Sequence, residues 1–297
     1  MRASEFARQF QVAPGKTFRL KDHDPRWAGS NEFRQLKKGE IKAQARVVLD
    51  KSLKDLESAQ ELLYADDRYA LLIVLQGMDA SGKDGAIKHV MAGVNPLGCQ
   101  AFSFKKPSAE EYDHNFLWRY SRALPERGRI GIFNRSYYED VLVTRVHPEL
   151  LGQIPKSKIN ERFWGKRYED INGFERHLVR NGTVVLKFFL NVSKAEQRRR
   201  LSERLDQPAK NWKFNPGDLV ERGFWNDYMA AYERAIRATD TKWAPWHVVP
   251  ADHKWVARVV IARIVAETLA GLKLSYPKET PEQARLIAKA KRELSKK

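Results

Sequence analysis

The feature that most constrains this chain is an apolar run, Leu71 to Leu75, that breaks directly into Gln76-Gly77-Met78-Asp79-Ala80-Ser81-Gly82-Lys83-Asp84-Gly85. An uninterrupted apolar run of this length reads as a strand buried on both faces, which requires helices above and below it. Gly77, Gly82 and Lys83 satisfy the spacing G-x-x-x-x-G-K, and a helical pattern from Lys83 to Met91 follows. Strand, glycine-rich turn and helix in that order make a phosphate cradle. Glycines let the backbone curl until several N–H groups face one anion; the helix N-terminus and the lysine add positive charge.

Four further strand-like runs follow, at Ala101 to Phe104, Ile130 to Phe133, Val184 to Leu190 and Trp246 to Val249. They alternate with helical patterns at Ala109 to Ala123, Ser136 to Val143, Lys158 to Arg180, Lys194 to Leu205 and Leu219 to Ala238. This alternation predicts an α/β fold, a three-layer αβα sandwich around a five-stranded parallel sheet with right-handed crossovers. An amphipathic helix is expected from Ile41 to Leu63, and a last core helix from about His253 to Ala270 with Asp252 as its N-cap. Residues 1–39 read as an irregular extension wrapping a P-loop domain of residues 40–275, and residues 276–297 as a basic tail holding a peripheral helix.

The net charge of +17 on 297 residues points to a polyanionic partner: nucleic acid, anionic lipid or inorganic polyphosphate. No helix-turn-helix, zinc-finger or RNP aromatic pattern speaks for nucleic acid. The longest clean apolar run, Tyr69 to Leu75, is too short for a bilayer, and the run from Trp255 to Leu269 is broken by Arg258 and Arg263. Met1 to Phe10 has no apolar stretch, and the single cysteine, Cys99, allows no internal disulfide. A cytoplasmic protein with neither membrane nor nucleic-acid partner is the expectation.

Two acids complicate the phosphate cradle. Asp84 stands where a magnesium-binding hydroxyl usually follows the lysine, and Asp79 lies inside the loop. A carboxylate in an anion cradle repels phosphate unless a cation lies between them, so Asp79 reads as a metal ligand or, alternatively, as a brace of the loop. The third strand ends at Asn134, a neutral residue in a slot where an acid often helps hold the metal. Glu139 and Asp140 can restore that charge or simply stabilise a helix N-terminus. Arg135 can fork onto a phosphate and Arg145 onto a second anion. Lys105 and Lys106 are candidate phosphate or nucleotide contacts, and Arg119 lies on the helix that follows. Ser193-Lys194-Ala195-Glu196 reads as a capping box that starts a basic helix. Arg199, Arg200, Arg204 and Lys210 then belong to a lid of about residues 194–215, unless they form a solvated helix face.

Four separated segments carry a resemblance: Gly77 to Gly85, Phe104-Lys105-Lys106-Pro107-Ser108, Asn115-Phe116-Leu117-Trp118-Arg119, and Phe133-Asn134-Arg135-Ser136-Tyr137-Tyr138-Glu139-Asp140-Val141-Leu142-Val143. In this order they resemble the polyphosphate kinase 2 family, from about residue 35 to 272. The resemblance implies a thymidylate-kinase-like P-loop fold with a helical lid, and phosphoryl transfer between inorganic polyphosphate and adenine or guanine nucleotides. It implies Mg2+, with Mn2+ as the alternative ion, and a homodimer or homotetramer. Asn-Arg-Ser followed by Tyr-Tyr-Glu-Asp is similar to class III, which takes both AMP and ADP.

On this reading Lys83, Asp79 and Arg135 are catalytic. Gly77, Ala80, Ser81, Gly82, Lys83, Asp84, Gly85, Arg199, Arg200, Arg204 and Lys210 hold polyphosphate. Lys105, Lys106, Arg119, Asn134, Arg135 and Arg145 hold the nucleotide, and Asp79, Glu139 and Asp140 hold the metal. The competing readings are an ATP-dependent kinase of a small metabolite or nucleoside, and a nucleic-acid-binding protein with a vestigial P-loop.

Overall fold

The computed structural model describes residues 5–13, 17–29, 38–152 and 154–295. Among these, helices α1 (Glu5–Phe10) and α2 (Lys38–Asp66) precede the first strand, β1 (Ala70–Gln76). Then come α3 (Lys83–Val90), β2 (Cys99–Ser103), α4 (Ala109–Asp113), α5 (Trp118–Ser121) and β3 (Ile130–Asn134). After α6 (Glu139–Val146) and α7 (Glu161–Arg180), β4 (Thr183–Asn191) leads into α8 (Lys194–Asp206), α9 (Pro208–Asn211), α10 (Pro216–Gly223) and α11 (Trp225–Thr239). The chain closes with β5 (Trp246–Pro250), α12 (Lys254–Ala270) and α13 (Pro281–Leu294).

All strands run parallel, in the order β2-β3-β1-β4-β5. Every residue of β1 is buried, as the unbroken apolar run requires of a central strand. Helices α2, α3 and α12 cover one face of the sheet, and α6, α7 and α11 the other. The sheet order places β1 between β3 and β4, so the loop after β1 opens at the carboxyl ends of the strands, where α/β sheets hold ligands.

Several expected helices are shorter or divided. Ala109 to Ala123 forms α4 and α5 with a turn between them, because His114 is extended and the Asn115 side chain accepts from Leu117 N at 3.1 Å. Such an Asx turn competes with helix continuation. Leu219 to Ala238 is likewise broken where α10 ends at Gly223. The helix expected from Ser136 begins only at Glu139, and that expected from Lys158 at Glu161. Asp252 does not cap the last core helix. Its carboxylate accepts from Ser193 N and Ser193 Oγ, both at 2.7 Å, while α12 starts after His253 without a side-chain cap. In consequence Ser193 and Glu196 form only half a capping box, Ser193 Oγ accepting from Glu196 N at 3.1 Å.

The N-terminal segment is not wholly irregular, since it contains α1. Its side chains Ala7, Phe10, Val12 and Phe18 are buried, and Gln11 bridges to His247 of β5. The remainder of that expectation, at residues 1–4, 14–16 and 30–37, lies outside the described residues. At the other end α13 is capped reciprocally by Thr280 and Gln283, and none of its residues is buried.

Gly131, the second residue of β3, tests the fold. A Cβ there would lie 2.9 Å from both Cδ and Cγ of Pro125, a rigid ring that cannot swing aside. Gly131→Ala is expected to cost about 1–3 kcal/mol through overpacking. Urea denaturation checks this, and an unchanged midpoint contradicts it.

Candidate active site

A cleft of about 620 Å³ opens over the loop between β1 and α3. Gly77 and Gly82 take φ of 151° and 110°, which only glycine adopts readily. At Gly77 a Cβ would also meet Ser81 Oγ at 2.8 Å and Leu190 O at 3.0 Å, so the curl of the loop leaves no room for one. Ala80 is left-handed as well, with φ of 59°.

If a loop turns its N–H groups inward, its carbonyls must find donors elsewhere, and here side chains supply them. Lys83, almost fully buried, donates to Gly77 O at 2.6 Å and to Met78 O at 3.2 Å. Gln197 of α8 donates to Asp79 O at 3.0 Å. Arg200 of α8 donates to Ala80 O at 3.0 Å and Ser81 O at 2.7 Å, and also to Ala251 O, Asp252 O and Glu196. Its five N–H groups are therefore all engaged. Arg200 was expected to grip polyphosphate from a lid; it is instead a brace of the loop, with no donor left over. The same contacts hold the first turns of α8 against the loop, where Gln197 and Leu201 are also buried.

Asp79 and Glu139 face each other across Arg135. The guanidinium donates to Asp79 Oδ1 at 2.7 Å and to Glu139 Oε2 at 3.0 Å. The two acids, Glu139 first, hold Arg135 above its ordinary pKa against the opposing effect of burial. Arg135 has φ of 66°, a conformation that costs a non-glycine residue about 1–3 kcal/mol and persists only where its surroundings enforce it. Its N–H donates to Leu75 O at 3.2 Å, and Gln76 Nε2 donates to Ser136 Oγ at 3.1 Å, so the ends of β1 and β3 are tied together.

The expected metal trio does not converge. Among the described residues no group of three or more His, Cys, Asp or Glu side chains is placed to hold one ion. Asp140 lies away from the cleft, with Tyr120 donating to it at 3.3 Å and Arg167 Nη1 3.6 Å from Oδ1. Burial pushes its pKa up to about 6, against the attraction of Arg167. The carboxylates that do line the cleft are Asp79, Asp84, Glu203 and Asp218. Asn134 Nδ2 donates to Asp84 Oδ1 at 2.8 Å, whereas Asn134 Oδ1 is buried without a partner. Asp79 together with that orphaned amide oxygen suits a hard cation that takes most of its ligands from phosphate and water. The residues present thus fit a divalent ion bound jointly with substrate, but not an all-protein cage.

The other expected contacts divide. Lys105, Arg204 and Lys210 line the cleft, Arg204 pairing with Asp218 at 2.7 Å and Lys210 with Glu203 at 2.6 Å. Lys106, Arg119, Arg145 and Arg199 do not line it. Arg119 donates to Lys105 O at 2.9 Å, so it supports the strand-end loop. Arg145 pairs with Glu161 and lies 5.2 Å over the Trp164 ring. Arg199 pairs with Glu196 and Glu203 on its own helix. Sequence reasoning missed Lys254 and Arg258, which reach the cleft from the first turns of α12. Their signal was a basic pair at i and i+4 opening a largely apolar helix. Trp212 and Lys213 also line the cleft, with Trp212 largely exposed and Lys213 Nζ 4.9 Å over its ring. Cations outnumber carboxylates around the opening, which therefore attracts polyanions.

Burial, followed by the neighbouring charge of Arg135, lowers the Lys83 pKa to about 8. A bound anion favours the charged lysine, so its pKa is higher in the complex than in the free loop. Anion affinity is then full below about pH 8 and falls above it, by at most about tenfold per pH unit, as the free loop loses its proton. Calorimetric titration with tripolyphosphate from pH 7 to 9.5 checks this; constant affinity across the range contradicts it.

With this geometry in place, comparison with known proteins is informative. A sequence model of the family described as polyphosphate kinase 2 (PPK2) matches residues 37–276. The chain is 50% identical over 260 residues to an ADP-polyphosphate phosphotransferase of Rhodopseudomonas palustris, covering 86% of this chain and 90% of that protein. It is 46% identical over 277 residues to an AMP/ADP-polyphosphate phosphotransferase of Meiothermus ruber, covering 93% and 97%. The crystal structure of polyphosphate kinase 2 from Arthrobacter aurescens TC1 superposes with a TM-score of 0.84 at 38% identity, over 97% of this chain and 98% of that one. The chain belongs to the polyphosphate kinase 2 family.

Proposed function

We propose that this protein transfers a phosphoryl group reversibly between inorganic polyphosphate and adenine nucleotides, taking both AMP and ADP as acceptors, with Mg2+ as its ion. The observation that carries the reading is the joint placement of a braced phosphate loop, Asp79 and Arg135 in one cation-lined cleft, with Arg135 held there by Asp79 and, from behind the lining, by Glu139. The relatives named for AMP and ADP support the choice of nucleotides.

The loop amides and Lys83 hold the phosphoryl group being transferred. Lys210, Lys213, Lys254 and Arg258, along the same cleft, neutralise the phosphates behind it. Arg135, at the ends of β1 and β3, orients the acceptor phosphate. An acceptor phosphate is already a nucleophile, so the residues need only align it and stabilise charge. Asp79 and the orphaned amide oxygen of Asn134 would hold a divalent ion, which would supply further neutralisation of phosphate charge. Asn134 carries no charge of its own beside the acceptor, which suits a site that admits either an α- or a β-phosphate.

Assembly into two or four copies belongs to the same reading; Val47 and Val48 of α2 leave exposed apolar surface available for it. Among the described residues no helix is long and apolar enough to cross a membrane.

The test is a time course from AMP with excess polyphosphate and Mg2+. ADP is expected first and ATP after it, with no added kinase. ADP alone would restrict the enzyme to monophosphates, and ATP formed only from supplied ADP would restrict it to diphosphates. In the same assay Lys83→Ala is expected to lose about 100-fold or more in turnover, with a lowered melting temperature because the carbonyls of Gly77 and Met78 lose a donor. Near wild-type turnover in that variant contradicts the role given to Lys83.

A further inference from the structure

Behind the site, away from the cleft, a closed polar cluster occupies the centre of the core. Glu175 of α7 and Lys187 of β4 are both fully buried and paired at 2.7 Å. The hydroxyls of Tyr137 and Tyr138 donate to one oxygen of Glu175, at 2.9 and 2.8 Å. Lys187 donates from Nζ to the other oxygen, to Tyr138 Oη at 3.0 Å and to Thr239 O at 2.7 Å. The strand register sets Lys187 between Val74 of β1 and Trp246 of β5, well inside the sheet.

Stability alone does not account for this arrangement, because apolar side chains of similar volume often replace a buried ion pair without loss. Its connections do. In sequence Tyr137 and Tyr138 stand between Arg135, which lines the cleft, and Glu139, which accepts from it at 3.0 Å. Ser136, between them, is held by Gln76 Nε2 and by Tyr138 N. The left-handed turn at Arg135 is therefore anchored on its downstream side by hydroxyls that end on Glu175.

We propose that Glu175 and Lys187 are positioning residues, acting through Tyr137 and Tyr138 to hold Arg135 and Glu139 in the orientation the transfer requires. The inference rests on the role given to Arg135 above.

The experiment compares three variants with wild type in steady-state transfer and thermal melting. Tyr137→Phe with Tyr138→Phe removes the anchoring hydroxyls and leaves the ion pair intact. Glu175→Leu with Lys187→Met removes the pair and leaves the tyrosines. Arg135→Ala reports on the site itself. Each double variant is expected to lose about tenfold or more in kcat, while KM for polyphosphate stays within about twofold, because the braced loop does not lean on the cluster. Restoring Glu175 and Lys187 together is expected to restore kcat. If Arg135→Ala keeps its kcat, the reading of the site fails and this inference with it. If Arg135→Ala loses kcat but the tyrosine double variant keeps it, the inference alone is overturned. Should the Glu175/Lys187 variant fail to fold, the tyrosine variant still decides, since it leaves no buried charge unpaired.

Discussion

The site depends on where the phosphate loop puts its carbonyl oxygens. A loop can aim its amides at an anion only if each carbonyl it turns outward finds a donor, since unpaired buried backbone groups are costly. Here Lys83, Gln197 and Arg200 take the carbonyls of Gly77 through Ser81. Two of these donors come from α8, and Arg200 continues to the carbonyls of Ala251 and Asp252 beyond β5. The loop after β1, the helix after β4 and the turn after β5 are thereby one unit. Asp252, freed from capping α12, holds the start of α8 in that unit through Ser193.

Electrostatics explain the second half of the site. Two carboxylates beside an anion cradle are unfavourable unless a cation separates them from the phosphates and from each other. Arg135 meets that need between Asp79 and Glu139, and it does so from a strained backbone position that the ties to Leu75, Gln76 and the buried tyrosines sustain. The arrangement puts a guanidinium beside the loop, where a second phosphate can reach it.

Much of this was legible in the chain. The buried strand, the glycine spacing and the alternation of strand and helix specify the sandwich because each follows from local pattern: period, length and turn chemistry. The residues of the loop, with Asp79 and Arg135, could be named for the same reason. What sequence could not supply was which partner each side chain would find across the fold. Arg200 and Arg204 looked alike at i and i+4 and both line the cleft, yet one spends its donors mainly on backbone carbonyls while the other pairs with the Asp218 side chain. Asp140 follows Glu139 in sequence, but the helical turn carries it toward Tyr120 and Arg167. Lys254 and Arg258 were not assigned to the site because their helix read as core. Asp252 holds Ser193, the N-cap of a helix far from it in sequence, a choice made by the meeting of β4 and β5 rather than by its neighbours.

The most direct measurement of this account is hydrogen–deuterium exchange of the amides of residues 77–83 in wild type and Arg200→Ala, paired with the dissociation constant for polyphosphate. Arg200 has no donor free for the ligand, so its effect must come through the loop. Faster exchange confined to the loop and the neighbouring turns, with affinity weakened about tenfold or more, is the predicted result. Unchanged loop exchange together with unchanged affinity would contradict it.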